Sequence, residues 1–420
     1  PSDNEMLIAV YLPTVDLDSW RPIATLFGEQ PSETQPTWYP VFDMNFDFLE
    51  VGVLELKQIK SETKFIDGQI DLQFFSNLAD GKLLIDDILG DVPKLTLTRL
   101  NMSKDFLAEK VSGQSLDPRT FPASDIVLES VAVDEKLWGN ISFQLRPNSE
   151  GAAFKNIEGD IFGLRPGELA EEGETLFFWG FDDKQYSSRL TGPVGINNIG
   201  DLFEGLEIPT PVNSQSGKLV LDLEWLDQPW NFSKQNMAGN FYVELNQGSF
   251  YTSPGGASAA LKLVSLFNFA NWLRRLQLDF SDVVGENLAY NNLQGKVEFD
   301  EGRARLLDPL KMQMPSGRMS MAGEFNLLHE TADAQLVATL PVATNLPWVV
   351  ALLGGIPAAA GVYVTSKIVE KQVDRLSSIS YNLNGPWDDI EVSVDKIFAA
   401  QLDEKPIETP VPVQSSGNKE

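Results

Sequence analysis

The chain has 420 residues, 43% of them hydrophobic, and its 32 Lys and Arg against 60 Asp and Glu give a formal net charge of −28. Phosphate binding relies on clustered cations, so this balance argues against nucleic acid as a partner. Cys is absent and there is one His, which excludes disulfides, cysteine nucleophiles and histidine-based metal sites. Residues 1–5 are neither basic nor apolar, and we expect any targeting signal or membrane anchor to lie upstream.

Alternation of apolar and polar side chains dominates residues 1–252 and resumes in residues 281–340. This period of two is typical of strands that bury one face and expose the other to water. Turn-forming residues at 79–81, 246–248 and 300–302 separate the runs, which predicts an antiparallel meander. We therefore expect a mainly β chain whose strands form a β-solenoid or one long curved sheet instead of separate globules. Such a sheet either closes on itself or has its apolar face covered by a ligand.

Three short helices are predicted to cap the ends or edges of this sheet. They span residues 16–27, 103–110 and 198–206. Each begins with a residue type that favours the N-cap and has apolar residues at helical spacing. Their expected role is to cover strand edges, which otherwise present unpaired backbone groups.

The first of two longer carboxy-terminal helical segments is predicted at residues 253–280. It is locally cationic, because Lys262, Arg274 and Arg275 occur in a stretch, 253–278, that has no acidic residue. One interpretation is an amphipathic helix on an anionic lipid surface, with its aromatic side chains immersed. The other is a core helix whose arginines extend to water or pair with acids elsewhere in the fold.

The second longer segment, residues 341–380, is predicted to be helical, apolar and close to a membrane. Residues 334–366 carry no charged side chain, and this stretch is long enough to cross a bilayer. Pro357 and Gly354, however, interrupt any straight helix there. Three alternatives stay open: a transmembrane span, a plug that closes the end of a groove formed by the sheet, and a broken hairpin that dips into one leaflet. A final strand at 381–396 and a disordered tail at 397–420 complete the chain.

Sequence signals for catalysis are scarce. His329 lies in a turn-like segment, and the glycine-rich nucleotide loops, the nucleophile elbow and the zinc-protease motif are missing. Acidic pairs at 86–87, 182–183 and 388–389 lie in turn-like contexts, and 60 acidic residues make such pairs common by chance. We therefore predict a binding or conduit protein that is not an enzyme and holds no metal or cofactor.

An ordered set of segments forms a pattern that covers nearly the whole chain: residues 12–20, 117–119, 225–232, 265–269, 276–285, 293–295, 315–319, 340–343, the Ala-, Gly- and Pro-rich stretch that follows, 367–376 and 385–389. The pattern is densest between about residues 217 and 390, whereas the acidic loops near 168–183 and the tail do not carry it. Together these segments resemble the YhdP family, a group of AsmA-like proteins of Gram-negative envelopes.

This resemblance implies a periplasmic protein of a Gram-negative bacterium, anchored to the inner membrane by a segment upstream of this chain. It also implies an elongated, folded-over antiparallel β-sheet, a β-groove. Phospholipid would be the partner, with acyl chains carried along the apolar groove from the inner toward the outer membrane. The carboxy-terminal helices would then meet the inner leaflet of the outer membrane. The alternative function is a periplasmic scaffold or regulator of outer-membrane assembly and permeability that carries no lipid.

Two sets of candidate residues follow from this hypothesis. We expect the apolar positions of the alternating strands to line the groove. Residues of the two helical segments are expected to contact the membrane. The groove residues are Phe42, Met44, Phe46, Phe48, Ile70, Leu72, Phe74, Ile141, Phe143, Leu145, Leu219, Leu221, Leu223, Phe241, Val243, Leu245, Val297 and Phe299. The membrane-contact residues are Lys262, Phe267, Phe269, Trp272, Arg274, Arg275, Trp348, Leu352, Leu353, Ile356 and Tyr363.

Overall fold

The mainly β fold is confirmed by a computed structural model of the chain. The structure describes residues 5–16, 39–51, 54–66, 69–86, 92–103, 116–183, 185–207, 209–251, 287–315, 317–339, 378–387 and 389–397. These residues form twenty-one strands and two short helical elements. The chain divides into two compact units: a first unit of residues 1–162, 174–188 and 227–231, and a second unit of residues 163–173, 189–226 and 232–420.

The first unit contains the strands of the amino-terminal half. A short 3₁₀ helix, Pro118–Thr120, follows β6, and Asp117 caps it by accepting a hydrogen bond from the Arg119 backbone N–H. The strands are β1 (Glu5–Asp16), β2 (Tyr39–Val51), β3 (Leu54–Ile66), β4 (Gln69–Phe75), β5 (Ala79–Ile85), β6 (Lys94–Met102), β7 (Ser124–Val133), β8 (Lys136–Pro147), β9 (Gly151–Ile161), β11 (Leu176–Asp182) and the start of β12 (Gln185–Ile196).

The sheet of the first unit is mixed, which corrects the expectation of a purely antiparallel one. The pairs β1–β2 and β6–β7 are parallel, whereas β2 to β6 and β7 to β9 pair antiparallel in sequence order. Parallel neighbours need a crossover connection of about a dozen residues or more. The chain provides such lengths between Asp16 and Tyr39 and between Met102 and Ser124.

The second unit contains a regular antiparallel meander. From β14 to β21, each strand pairs antiparallel with the next strand in sequence. The strands are β10 (Leu164–Pro166), the remainder of β12, β13 (Val212–Asn213), β14 (Ser216–Trp225), β15 (Met237–Tyr251), β16 (Asn287–Asp300), β17 (Arg303–Met314), β18 (Gly317–Asn326), β19 (Thr331–Thr339), β20 (Ser378–Pro386) and β21 (Glu391–Ile397).

Side-chain alternation makes one face of this meander apolar. In β16 the buried positions include Leu293, Val297 and Phe299, and the intervening Lys296 and Glu298 are only half-buried. The same period continues through β17 to β20, where Met321, Leu336 and Leu383 are fully buried. Successive side chains of a strand point to opposite faces, so these buried residues share one face and form the main hydrophobic cluster.

The short helix predicted at 198–206 is confirmed as α1 (Ile199–Gly205). Asn198 is its N-cap and accepts a hydrogen bond from the Gly200 N–H through its side-chain oxygen. Its first residues, Ile199 and Gly200, are buried. The helices predicted at 16–27 and 103–110 lie, apart from Asp16 and Ser103, outside the described residues.

Of the three predicted turns, only that at 300–302 is confirmed, with positive φ at Glu301 and Gly302. The turn at 246–248 is wrong, because these residues continue β15 and Gln247 forms an irregularity at φ 51°. The turn at 79–81 is also wrong, since β5 begins at Ala79. The reversal occurs just before it, where the Ser76 N–H donates to the Ala79 carbonyl.

The two longer helical segments, 253–280 and 341–380, lie outside the described residues except where β20 begins at Ser378. The predicted final strand corresponds to two strands, because β20 pairs antiparallel with β21. Of the helical residues that the structure describes, no run has the length and apolar character needed to span a membrane.

Truncation of Leu336 tests the buried face of the second unit. Leu336 is fully buried, so Leu336→Ala should lower the free energy of unfolding by about 2–5 kcal/mol through lost burial and a residual cavity. Leu307, on strand β17 of the same unit, is 43% exposed, and Leu307→Ala should cost less than about 1 kcal/mol. Urea denaturation measures both; equal losses would contradict the assignment of the buried face.

An ion pair on β5 and β6 holds the turn that precedes β5. Arg99 Nε lies 2.7 Å from Asp80 Oδ2, and Arg99 Nη2 donates to the Ser76 carbonyl at 2.7 Å. The hydrogen bonds from the Arg99 side chain lower the pKa of Asp80 below its ordinary value of 3.8. A carboxyl group with a lowered folded-state pKa stabilises the fold above its unfolded pKa, and this contribution is lost as the pH falls through the folded pKa.

Replacement of Asp80 by Asn should therefore reduce the acid sensitivity of the first unit. The variant lacks the ion pair at neutral pH, and its melting temperature should fall less than that of the wild type between about pH 5 and pH 2. The exposed Glu129 provides a control, and Glu129→Gln should keep the wild-type acid profile. Identical acid profiles for wild type and Asp80→Asn would show that the ion pair adds no stability.

Candidate functional site

The apolar face of the second unit brings together the groove residues that the sequence predicts there. Leu219 is in register with Val243, and Val243 with Gly295. Directly opposed residues of paired strands project to the same face. A second row runs from Leu221 through Phe241 and Val297 to Leu306, and Leu223 and Phe299 share the partner Gly239. Leu245, opposite Leu293, belongs to the same face.

These side chains differ in how deeply they are buried. Leu245, Val297 and Phe299 belong to the buried cluster, and Phe241 packs against it with its ring stacked 5.6 Å from that of Phe299. Leu219, Leu223 and Val243 are partly buried against the same cluster. The face is therefore graded, with fully enclosed residues near β16 and more accessible ones toward β14.

Residues that were not predicted from the sequence extend this face across β17 to β20. Leu310 is in register with Met321, Met321 with Leu336, and Leu336 with Tyr381. The signal was present, because residues 310–314 and 319–321 alternate as strictly as the runs that were recognised. The additional members of this face include Ala304, Leu306, Leu310, Met312, Met314, Met319, Met321, Phe325, Ala334, Leu336, Ala338 and Leu383.

The first unit has a comparable face, and two register rows cross it. One row is Phe42, Thr63, Leu72, Leu83, Leu95, Ile126 and Phe143. The other is Met44, Ser61, Phe74, Gly81, Leu97, Leu128 and Ile141. The predicted residues of three strands that are distant in sequence, β2, β4 and β8, therefore lie on one face.

The remaining predicted residues of this unit lie along the same strands. Leu145 is buried, and Phe46 is in register with the buried Ile59. Ile70 lies two residues before Leu72 on β4 and shares its face. Phe48 is 48% exposed, and the Lys57 ammonium group lies 5.8 Å from its ring centre.

Further aromatic side chains, not predicted from the sequence, extend this face toward β11. The Phe154 ring lies 5.3 Å from that of Phe143 and 5.4 Å from that of Phe177. Trp179 is buried and contacts Phe121 and Trp230 edge to face. Aromatic pairs of this kind stabilise a packed surface beyond their buried area.

In each unit, ion pairs lie on the face opposite to the apolar one. In the first unit Lys82 Nζ lies 2.7 Å from Asp71 Oδ2, and in the second Arg189 Nη2 lies 2.9 Å from Asp222 Oδ1. Asp71 alternates with Ile70 and Leu72, and Asp222 alternates with Leu221 and Leu223. The strands thus separate an apolar face from a charged one.

Both predicted membrane segments connect strands at the same end of the second unit. Tyr251 ends β15 opposite Asn287, and Thr339 ends β19 opposite Ser378. The intervening strands place the end of β17 and the start of β18 at this same end. The predicted membrane-contact residues, from Lys262 to Arg275 and from Trp348 to Tyr363, lie outside the described residues.

Hydrogen bonds fix the strand ends from which these segments depart. The hydroxyl groups of Thr339 and Ser378 lie 2.7 Å apart in a buried position. The Asn213 side chain accepts from the Ser249 N–H and donates to the Tyr251 hydroxyl, and the Tyr290 hydroxyl donates to the Asn213 carbonyl. Burial raises the pKa of Tyr290, so its hydroxyl stays protonated and able to donate.

The titratable groups of the described residues do not form a catalytic arrangement that we can recognise. Within that part of the chain, no group of three or more His, Asp or Glu side chains is placed to hold a metal ion. His329 is exposed in the turn between β18 and β19, and its backbone N–H donates to the Asn326 side chain. Burial raises the pKa of Tyr381 to about 12, which keeps that hydroxyl neutral.

Comparisons with known proteins agree with this geometry. The sequence profile of the YhdP protein family matches residues 1–392. The chain is 22% identical over 245 residues to the "Intermembrane phospholipid transporter YhdP" of Escherichia coli (strain K12), an alignment that covers 56% of this chain and 19% of that protein. The chain thus aligns with about a fifth of that relative's length. No solved structure matches it. Since the family profile extends over nearly all of the sequence, the chain belongs to the YhdP family.

Proposed function

We propose that this chain forms part of an intermembrane phospholipid transporter and holds lipid acyl chains against the apolar faces of its sheets. The observation that supports the proposal most strongly is the register, which aligns apolar residues from β2 to β8 and from β14 to β20 on one face of each unit. The family relationship agrees with it, because the Escherichia coli relative is named for phospholipid transport.

The energetic benefit of such a face is large. Exposing an acyl chain of about 16 methylenes to water costs about 13 kcal/mol, at about 0.8 kcal/mol per methylene. Contact with a continuous row of Leu, Phe and Met side chains removes most of this barrier. The process needs no covalent chemistry in this part of the protein, so we propose that the chain is not an enzyme.

We further propose an elongated, folded-over sheet in the periplasm, with an inner-membrane anchor elsewhere in the protein and transport toward the outer membrane. The segments 253–280 and 341–380 would then contact the inner leaflet of the outer membrane. The support for this placement is that both segments depart from the same end of the second unit. A single membrane-facing end can therefore present the cationic and the apolar segment together.

A periplasmic scaffold that carries no lipid is the second candidate. The observation that favours it is the complete burial of Leu336, Met321 and Leu383, which is typical of a closed, dry interior. The two proposals differ in one measurable property, the presence of lipid against the half-buried residues nearer β14.

Photo-crosslinking distinguishes the two candidates. A photoreactive amino acid at Leu221 or Val243, both half-buried on the apolar face, should crosslink to phospholipid in intact envelopes. The same probe at Gln294, which alternates with Leu293 and lies on the opposite face, is the control and should give no lipid adduct. Crosslinks to protein alone from both apolar positions would contradict lipid transport.

The proposed membrane contact has its own test. Replacing Leu352 and Leu353 by Asp should weaken association with anionic liposomes in a flotation assay, because two carboxylates would have to enter the interfacial region. The matched control is Leu226→Asp with Leu328→Asp, two exposed residues of the second unit outside the proposed membrane segments. Binding that is unchanged by the first pair would remove the segment from the proposed contact.

A further inference from the structure

Two hydroxyl groups interrupt the apolar face of the first unit at the centre of β3. Ser61 is 6% exposed and Thr63 is 3% exposed. Lys60, before Ser61, and Glu62, between the two, point to the opposite face and are exposed. Their register partners are all apolar: Met44 and Phe74 flank Ser61, and Phe42 and Leu72 flank Thr63.

Among the residues that the structure describes, neither hydroxyl has a hydrogen-bond partner. Ser61 Oγ and Thr63 Oγ1 are enclosed and unpaired. Burying a hydroxyl group without a partner destabilises a protein, so most such groups are paired. Three other buried hydroxyl groups follow this rule: Ser188 donates to the Asp227 carbonyl at 2.9 Å, and Thr339 pairs with Ser378. The buried Tyr381 hydroxyl is a further exception.

The chemistry of the site limits what the missing partner is. The hydroxyl groups need an acceptor that tolerates a surface of Phe, Leu and Met side chains, which a charged head group does not. Acyl chains have no acceptor. The neutral ester carbonyl oxygens that join the acyl chains to glycerol do, and they lie next to the apolar chains. Two same-face residues of a strand are about 7 Å apart, so the site offers two separate donors.

We propose that Ser61 and Thr63 form a polar step within the lipid-carrying face and donate hydrogen bonds to the ester carbonyl oxygens of a bound phospholipid. This inference rests on the proposed function, because it presupposes a phospholipid on the apolar face. It adds the residue pair that recognises the glycerol ester region of that lipid. The step would hold a diacyl lipid at one position along an otherwise featureless apolar face.

The test compares ester-linked and ether-linked lipid. The purified chain is incubated with vesicles of dioleoyl phosphatidylcholine or of its diether analogue, which lacks the carbonyl groups. The chain is then re-isolated, and the lipid bound per chain is quantified by mass spectrometry. The wild type should retain the diester about fivefold better for each hydrogen bond that forms. The double variant Ser61→Ala, Thr63→Val should bind both lipids equally, at the level of the diether.

Two controls separate this inference from the proposed function. Ser142→Ala removes a hydroxyl from the opposite face, between Ile141 and Phe143, and should keep the wild-type preference. Each single variant, Ser61→Ala or Thr63→Val, should lose part of the preference, which keeps the test decisive if the double variant misfolds. Equal binding of diester and diether by a lipid-binding wild type overturns the polar step alone. A wild type that takes up neither lipid overturns the proposed function as well.

Discussion

Cross-strand register is the constraint on which the fold and the proposed site depend. Side chains alternate across a sheet with a period of two, so a slip of one residue between β15 and β16 would move Val297 and Phe299 to the charged face. Burial of the apolar side chains therefore fixes the register, and the register in turn builds a continuous apolar surface from residues distant in sequence. The ion pairs on the other face, such as Arg189 with Asp222, agree with the same register.

This arrangement suits the lipid transport that we propose, which needs no covalent chemistry. In that proposal, a smooth apolar face solvates an acyl chain by contact alone, and weak contact at each point permits movement along the face. Graded burial separates structural positions from those that we propose to face lipid. Leu336 and Leu383 hold the second unit together, whereas Leu221 and Val243 are accessible enough to meet a ligand.

Much of the fold could be predicted from alternation, because the runs at 42–48, 219–225 and 241–245 all lie in strands. Irregularities within a strand were harder to predict, because Gly and Asn are common both in turns and in strand irregularities. Residues 246–248, for example, continue β15 instead of reversing the chain. The parallel pairs β1–β2 and β6–β7 depend on long-range contacts that no local pattern encodes. Ser61 and Thr63 were missed because a polar residue on an apolar face breaks the very pattern that identifies the face.

The amount of phospholipid that remains bound to the purified chain tests the central claim most directly. Native mass spectrometry should show bound phospholipid for the wild type and for Gln144→Lys, whose added charge lies on the face opposite to the apolar one. It should show little for Phe143→Lys, because the ammonium group enters the apolar row beside Ile126 and Phe154. A folded wild-type chain that carries no phospholipid, or equal lipid in all three proteins, would contradict the account.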